Sequence, residues 1–180
     1  MKEGGKSSMR RTAIAFAASL VMLFAAVSPA HAQDEEHELI AVFIVNFLNF
    51  AVWHDSIAGS EQRVCVFGND RIMEVINYVI TKKNLRVKVS KLHSGDRVDG
   101  CSILYISKNG GSEAEALLQM THKNPVLTAS DIAGFASNGG IIEFMKSNNK
   151  MKLRINVREY KSRNLKLDPR MLQLAELVDS

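Results

Sequence analysis

The sequence predicts an α/β fold: a single three-layer domain, its mostly parallel sheet ending in a C-terminal antiparallel hairpin, with helices on both faces. Three observations carry this. Short β-branched or apolar runs alternate with helical patterns between residues 63 and 128, as βαβ units do. Two later strand-like runs, Ile141 to Lys146 and Met151 to Val157, are separated only by Ser147-Asn148-Asn149-Lys150, most simply a hairpin. Behind an N-terminal export segment lie about 150 residues with no repeat and no Pro/Gly linker, the size of one domain.

Each element follows from local pattern. Asp34 to Ala51 reads as a helix, with Asp34, Glu35 and Glu36 at its positive dipole end and Leu39, Phe43, Ile44 and Phe47 at helical spacing. Its far side is not very polar, so it is expected to be buried on more than one face. Arg63 to Phe67 is a β-branched strand stopped by Gly68-Asn69-Asp70, a turn and helix cap. A helix over 71–82 then turns Val75, Ile76, Val79 and Ile80 inward. Leu85 to Leu92 alternates valines with lysines and polar residues and suits an edge strand. Cys101 to Ile106, mostly apolar, reads as a strand covered on both faces. Ser112 to His122 is a helix, Pro125 to Thr128 a short strand, and Asn138-Gly139-Gly140 turn chemistry before the hairpin. Two helices close the chain, 158–163 and 168–178; Pro169 suits a first helical position and Asn164 a left-handed cap between them.

Residues 1–32 read as a cleavable export signal. Lys2, Lys6, Arg10 and Arg11 precede an apolar run from Thr12 to Val27, then Pro29 and Ala30-His31-Ala32, so cleavage is expected before Gln33. The run is shorter than the roughly 20 residues that span a bilayer. The domain is then 33–180, secreted or periplasmic, in an oxidising compartment. Charge follows the same division. The chain holds 23 Lys+Arg and 19 Asp+Glu, of which the signal takes four and one (Glu3), leaving 19 against 18. That near-neutral balance gives no support for nucleic acid as a partner.

Cys65 and Cys101 are the two cysteines. In an oxidising compartment such a pair favours a disulfide over two separately buried thiols. In a doubly wound sheet the first and third strands are neighbours, which makes the bridge geometrically reasonable. Dinucleotide, P-loop, serine-elbow and HExxH motifs are missing, and His37, His54, His93 and His122 are scattered without ligand spacing. A cysteine hydrolase would need a free thiol, which the disulfide removes. Neither an enzyme nor a metal or cofactor site is expected; the chain reads as a binding module. Asn46, Phe50 and Trp53, on or just after the first helix, are candidate partner or ligand contacts. For the phenylalanines of this helix core packing is the favoured reading; Trp53, beside His54 and Asp55, either packs in the core or lines a groove or protein interface. Arg158, Lys161 and Arg163 form a basic patch on a late helix, either a solvated face or a contact for an anionic ligand or partner.

Several segments together resemble one family. Asn46-Phe47, Phe50 and Trp53 are similar to an early N-F-x-x-F-x-x-W stretch, and Val64 to Gly68 and Cys101 to Ile106 to its two cysteine-bearing strands. The most specific block runs from Pro125-Val126-Leu127-Thr128 through Asp131 and Gly134-Phe135-Ala136 to Gly139-Gly140-Ile141-Ile142. Ile155-Asn156 through Leu165, then Met171-Leu172 and Leu174-Ala175, resemble the closing pattern. On these residues the chain resembles the YfiR-like periplasmic regulators. Ser102 replaces a histidine, Asn164 a glycine, and the cysteines of a second disulfide near the hairpin are missing, so redox behaviour tied to that bridge does not carry over.

The resemblance implies a periplasmic repressor that binds the periplasmic sensor region of an inner-membrane diguanylate cyclase, lowering cyclic di-GMP and biofilm formation. It also implies an outer-membrane OmpA-like lipoprotein as antagonist, and a homodimer. The other reading left open by the residues is a small-molecule sensor with an apolar groove near Trp53.

Overall fold

The computed structural model describes residues 29–53, 61–122, 124–148 and 150–180, with side chains from residue 35 onward. Residues 1–28 of the expected signal, and His54 and Asp55, lie outside the described residues. The chain divides into two units, Met1–Asp34 and Glu35–Ser180. Among the described residues no helix is long and apolar enough to cross a membrane.

Helix α1 (Pro29–Phe50) begins before the expected Asp34. Its Ile40, Ala41, Ile44, Val45, Phe47 and Leu48 are buried, a face too broad for a simple amphipathic stripe. The helix stops at Phe50, and Ala51–Trp53 form strand β1. Strand β2 (Gln62–Phe67) follows, then α2 (Asp70–Lys82), with the Asn69 side chain accepting a hydrogen bond from the Ile72 backbone N–H at 3.2 Å as its N-cap. Ile72, Ile76 and Ile80, one turn apart, are its buried row. Strands β3 (Val87–Leu92) and β4 (Ile103–Ile106) precede a 3₁₀ segment (Lys108–Glu113) and α3 (Ala114–Thr121). Gly68, at φ +84°, lets the turn after β2 press on that segment; a Cβ there would sit 2.8 Å from the Gly110 nitrogen. Strand β5 (Leu127–Ser130), the hairpin β6 (Ile142–Ser147) and β7 (Lys150–Asn156), α4 (Val157–Ser162), β8 (Leu165–Leu167), α5 (Pro169–Gln173) and β9 (Ala175–Val178) complete the chain. Asn164 takes φ +59° between α4 and β8, the left-handed turn expected of it.

Seven strands form the main sheet in the order β3-β2-β4-β5-β6-β7-β9, parallel except for the β6–β7 hairpin. The first and third of its strands are indeed neighbours, with Cys65 opposite Leu104; Cys101, expected on the third strand, lies two residues before its start at Ile103. Alternation splits the core between the two faces. Val64, Val66, Ile103, Tyr105, Leu127 and Ile155 join α1, α2, Tyr160 and Met171 on one side. Cys65, Phe67, Leu104 and Ile106 join Leu117, Leu118 and Phe135 on the other. This is the predicted three-layer α/β arrangement.

Two expectations change. Residues 168–178 are not one helix: α5 ends at Gln173, and Ala175–Val178 pair in parallel with β7 as β9. The Leu174-to-Val178 run is apolar enough for either state, and docking on an open sheet edge decides it. The segment after α1 is also extended, because β1 finds an antiparallel partner in β8, Trp53 opposite Leu165.

Candidate functional site

The C-terminal turns of α1, the start of β7 and the α5 segment with its C-cap Leu174 enclose an apolar groove of about 440 Å³. Phe43, Phe47 and Phe50 come from α1, Met151 and Leu153 from β7, Met171 from α5 and Leu174 from its C-cap. Helical spacing puts Phe43, Asn46, Phe47 and Phe50 along one side of α1. Strand spacing sends Met151 and Leu153 to the same face of the sheet. The aromatic floor is continuous: Phe43 lies 6.2 Å from Phe47, and both rings lie 6.0 Å from Phe144. Asn46 is the uncharged polar group in the wall, and Lys152 and Arg170 supply two cations.

The α5 side is held by a small polar cluster. The Asp168 backbone N–H donates to the Phe50 carbonyl at 2.8 Å, locking α5 to the end of α1. The Asp168 carboxylate accepts from the Arg170 backbone N–H at 2.8 Å and from Arg170 Nε and Nη2 at 3.0 and 2.7 Å. These bonds hold the Asp168 pKa down at about 2 and raise that of Arg170. The clamped guanidinium lies over the Phe50 ring, 5.5 Å from its centroid. The cation is thereby positioned at the groove mouth by two independent contacts.

The structure brings together only two of the five surface candidates, Asn46 and Phe50. Of the two readings open for Trp53, the structure takes core packing: it does not line the groove. It is 8 % exposed, and its Nε1 donates to the Ser102 carbonyl at 3.2 Å. Pairing of β1 with β8 turns the indole inward, where the carbonyl satisfies its N–H. Arg163 does not belong to a surface patch either. It is 3 % exposed, donating to Thr121 Oγ1 at 2.6 Å, the Gly139 carbonyl at 2.8 Å and Glu159 at 3.1 Å. Burial lowers its pKa, and Glu159 partly offsets that. Arg158 stays exposed, reaching the Asp179 carbonyl at 3.5 Å. The expected disulfide joins Cys65 to Cys101, with Cα atoms 5.8 Å apart, inside the core of the opposite face. A second depression, about 420 Å³, lies between α3 and the 132–139 turn and contains none of the candidates.

Arg170, Lys152, Met151 and Leu174 were not singled out by sequence reasoning. The one local signal was Asp168-Pro169-Arg170, a capped helix start whose arginine can fold back onto its own cap. Nothing local to α1 says that this start lies beside Phe50.

Comparison with curated proteins returns no match. The family model described as YfiR/HmsC-like matches residues 37–176, from the first turns of α1 into β9, and so spans both walls of the groove. With more than two thirds of the chain covered in one match, and with the Cys65–Cys101 bridge in place, the chain belongs to the YfiR/HmsC-like family of periplasmic regulators.

Proposed function

We propose that this protein represses an inner-membrane diguanylate cyclase by binding the cyclase's periplasmic region through the α1–β7–α5 groove. Residues 1–32 serve as the export signal that delivers it there. Bound repressor holds cyclic di-GMP and biofilm formation down, and an OmpA-like outer-membrane lipoprotein relieves the repression by sequestering it. Family membership over residues 37–176 is the observation that carries this reading. The groove adds a physical means: apolar pockets with aromatic walls and a few placed charges are where protein interfaces concentrate their energy. The disulfide suits an oxidising compartment.

The test uses the exported protein purified from the periplasm, its mass checked for a chain beginning at Gln33. Binding is measured to the periplasmic segment of a membrane cyclase encoded beside its gene. Phe50→Asp should weaken binding by at least ~10-fold, the order expected when an aromatic anchor is lost and a charge buried. The same variant should raise cyclic di-GMP in the host. Unchanged binding with a folded Phe50→Asp variant rejects the groove as the contact.

A small-molecule sensor is the second reading, favoured by the groove's volume, which falls in the range of small-ligand sites. Its site is the Phe50 groove rather than the neighbourhood of Trp53. Calorimetry with small aromatic acids, whose carboxylate would meet Lys152 and Arg170, separates the two.

A further inference from the structure

The groove opens beside a gap in the main sheet. The β6–β7 hairpin closes at the pair Ser147–Lys150 with two residues between, and Asn148 there takes φ +50°, as tight hairpin turns favour. Such a turn makes Ser147–Lys150 a hydrogen-bonded pair, and bonding then alternates along the ladder. Lys150 and Lys152 bond to β6, whereas Met151 aims its N–H and C=O the other way. Leu153 and Ile155 aim theirs the same way and are met by β9. However, β9 starts only at Ala175, opposite Leu153, and Leu174 before it turns its N–H back to the Met171 carbonyl at 3.2 Å. Among the described residues no strand runs along this side of Met151, and its outward backbone groups have no partner.

Met151 thus brings to the groove an apolar side chain together with an open backbone donor and acceptor. An open strand edge beside an apolar pocket suits an extended peptide, whose main chain supplies affinity and whose alternate side chains supply specificity. Lys150 and Lys152 flank Met151, are exposed, and make no ion pair among the described residues, whereas Arg170 is answered by Asp168. We infer that the groove takes an extended segment of its protein partner, patterned acidic–apolar–acidic, which completes the sheet beside Met151. This rests on the groove being the contact surface of the proposed function, and it names the part of the partner that enters. The central residue exchanges both backbone bonds with Met151, as an antiparallel pair does. Sharing the face of Met151, it sets a large apolar side chain against Phe43, Phe47 and Phe50. Its two neighbours alternate away from the pocket, and carboxylates on them meet Lys150 and Lys152. A helix could fill the pocket, but its backbone groups are bonded within itself and would leave the Met151 N–H unmet.

The full mature chain, disulfide intact, is titrated with the periplasmic segment of the membrane cyclase encoded beside its gene, and amide exchange is followed by NMR. In the free protein the Met151 amide should exchange at least ~10-fold faster than the bonded amide of Lys152, and binding should slow it to the same level. The double variant Lys150→Glu, Lys152→Glu should weaken binding at least ~3-fold, and replacing the segment's acidic residues by lysine should restore it. If Phe50→Asp abolishes binding while the Met151 amide stays fast in the wild-type complex, strand addition is overturned and the groove remains the contact. A double variant that binds like the wild type overturns the acidic pattern, and with it the proposal. A wild type that does not bind the segment overturns both this inference and the function it rests on. Self-association of the wild type that is lost in Phe50→Asp would make a second copy the occupant, and overturns this inference too.

Discussion

Arg163 shows how far a side chain's role depends on where its helix is set down. The sequence places it beside Arg158 and Lys161, but the fold encloses it, and its guanidinium ties three separate pieces together. Thr121 ends α3, Gly139 forms the turn before β6, and Glu159 lies one turn back on α4. Removing one member of a buried, hydrogen-bonded charge pair strands the others without partners. Arg163→Ala should therefore cost about 3 kcal/mol of unfolding free energy. Arg163→Lys should recover only part of this, because an ammonium cannot reproduce the planar fork. Urea denaturation of the two variants checks it; a loss below about 1 kcal/mol for the alanine would place Arg163 among ordinary surface contacts. Trp53 belongs to the same lesson. Beside polar His54 and Asp55 it could equally have lined a groove, yet its N–H is satisfied inside by the Ser102 carbonyl.

Among the elements, α5 is the one most open to test by pH. Five residues are too few to be stable alone, so it depends on its cap and on its tie to α1. The Asp168 pKa is depressed from 3.8 to about 2 by bonds from Arg170. A depressed carboxylate stabilises the folded state above its unfolded pKa and loses that contribution as pH falls through the folded value. The α5 cap should thus hold at pH 5 and weaken between about pH 4 and 2. Carboxyl NMR of Asp168 should show a midpoint near 2, returning toward 3.8 in Arg170→Ala. A midpoint at the ordinary value in the wild type would mean that the clamp does not form in solution. Element types were legible where the pattern was long or punctuated: the isoleucine row of α2, the all-apolar β4, the turn-bounded hairpin. They were misread where the run was short and its partner distant. Residues 51–53 become a strand only because Leu165–Leu167 lies alongside, and 175–178 only because β7 offers an edge. Half of the groove was legible too, through Asn46 and Phe50; the α5 half needed that same distant contact.

Across the molecule, the disulfide is the strongest single constraint on the unfolded chain. Its ends are 36 residues apart in sequence and lie in the core of the sheet face opposite α1. Closing a loop of that length contributes roughly 4 kcal/mol in the chain-entropy account. Replacing both cysteines by alanine should lower the melting temperature by roughly 10 °C for a domain of this size. An unchanged melting temperature would remove the bridge as a staple. The groove lies on the other face, so under the proposed function this variant should bind the cyclase segment as the wild type does once folded.

By itself the sequence determined the alternation of strands and helices, hence the parallel sheet, the closing hairpin, the two core faces and the adjacency of the first and third strands. These are consequences of side-chain periodicity and turn chemistry, which act over a few residues. The burial of Trp53 and Arg163, the strand at the C-terminus, and the joining of Phe50 to Arg170 were decided only in three dimensions. Each depends on contact between segments well separated in sequence, or on a choice between two states that local energies leave nearly level. In such cases the free energy of packing settles the outcome, and no window of neighbouring residues contains it.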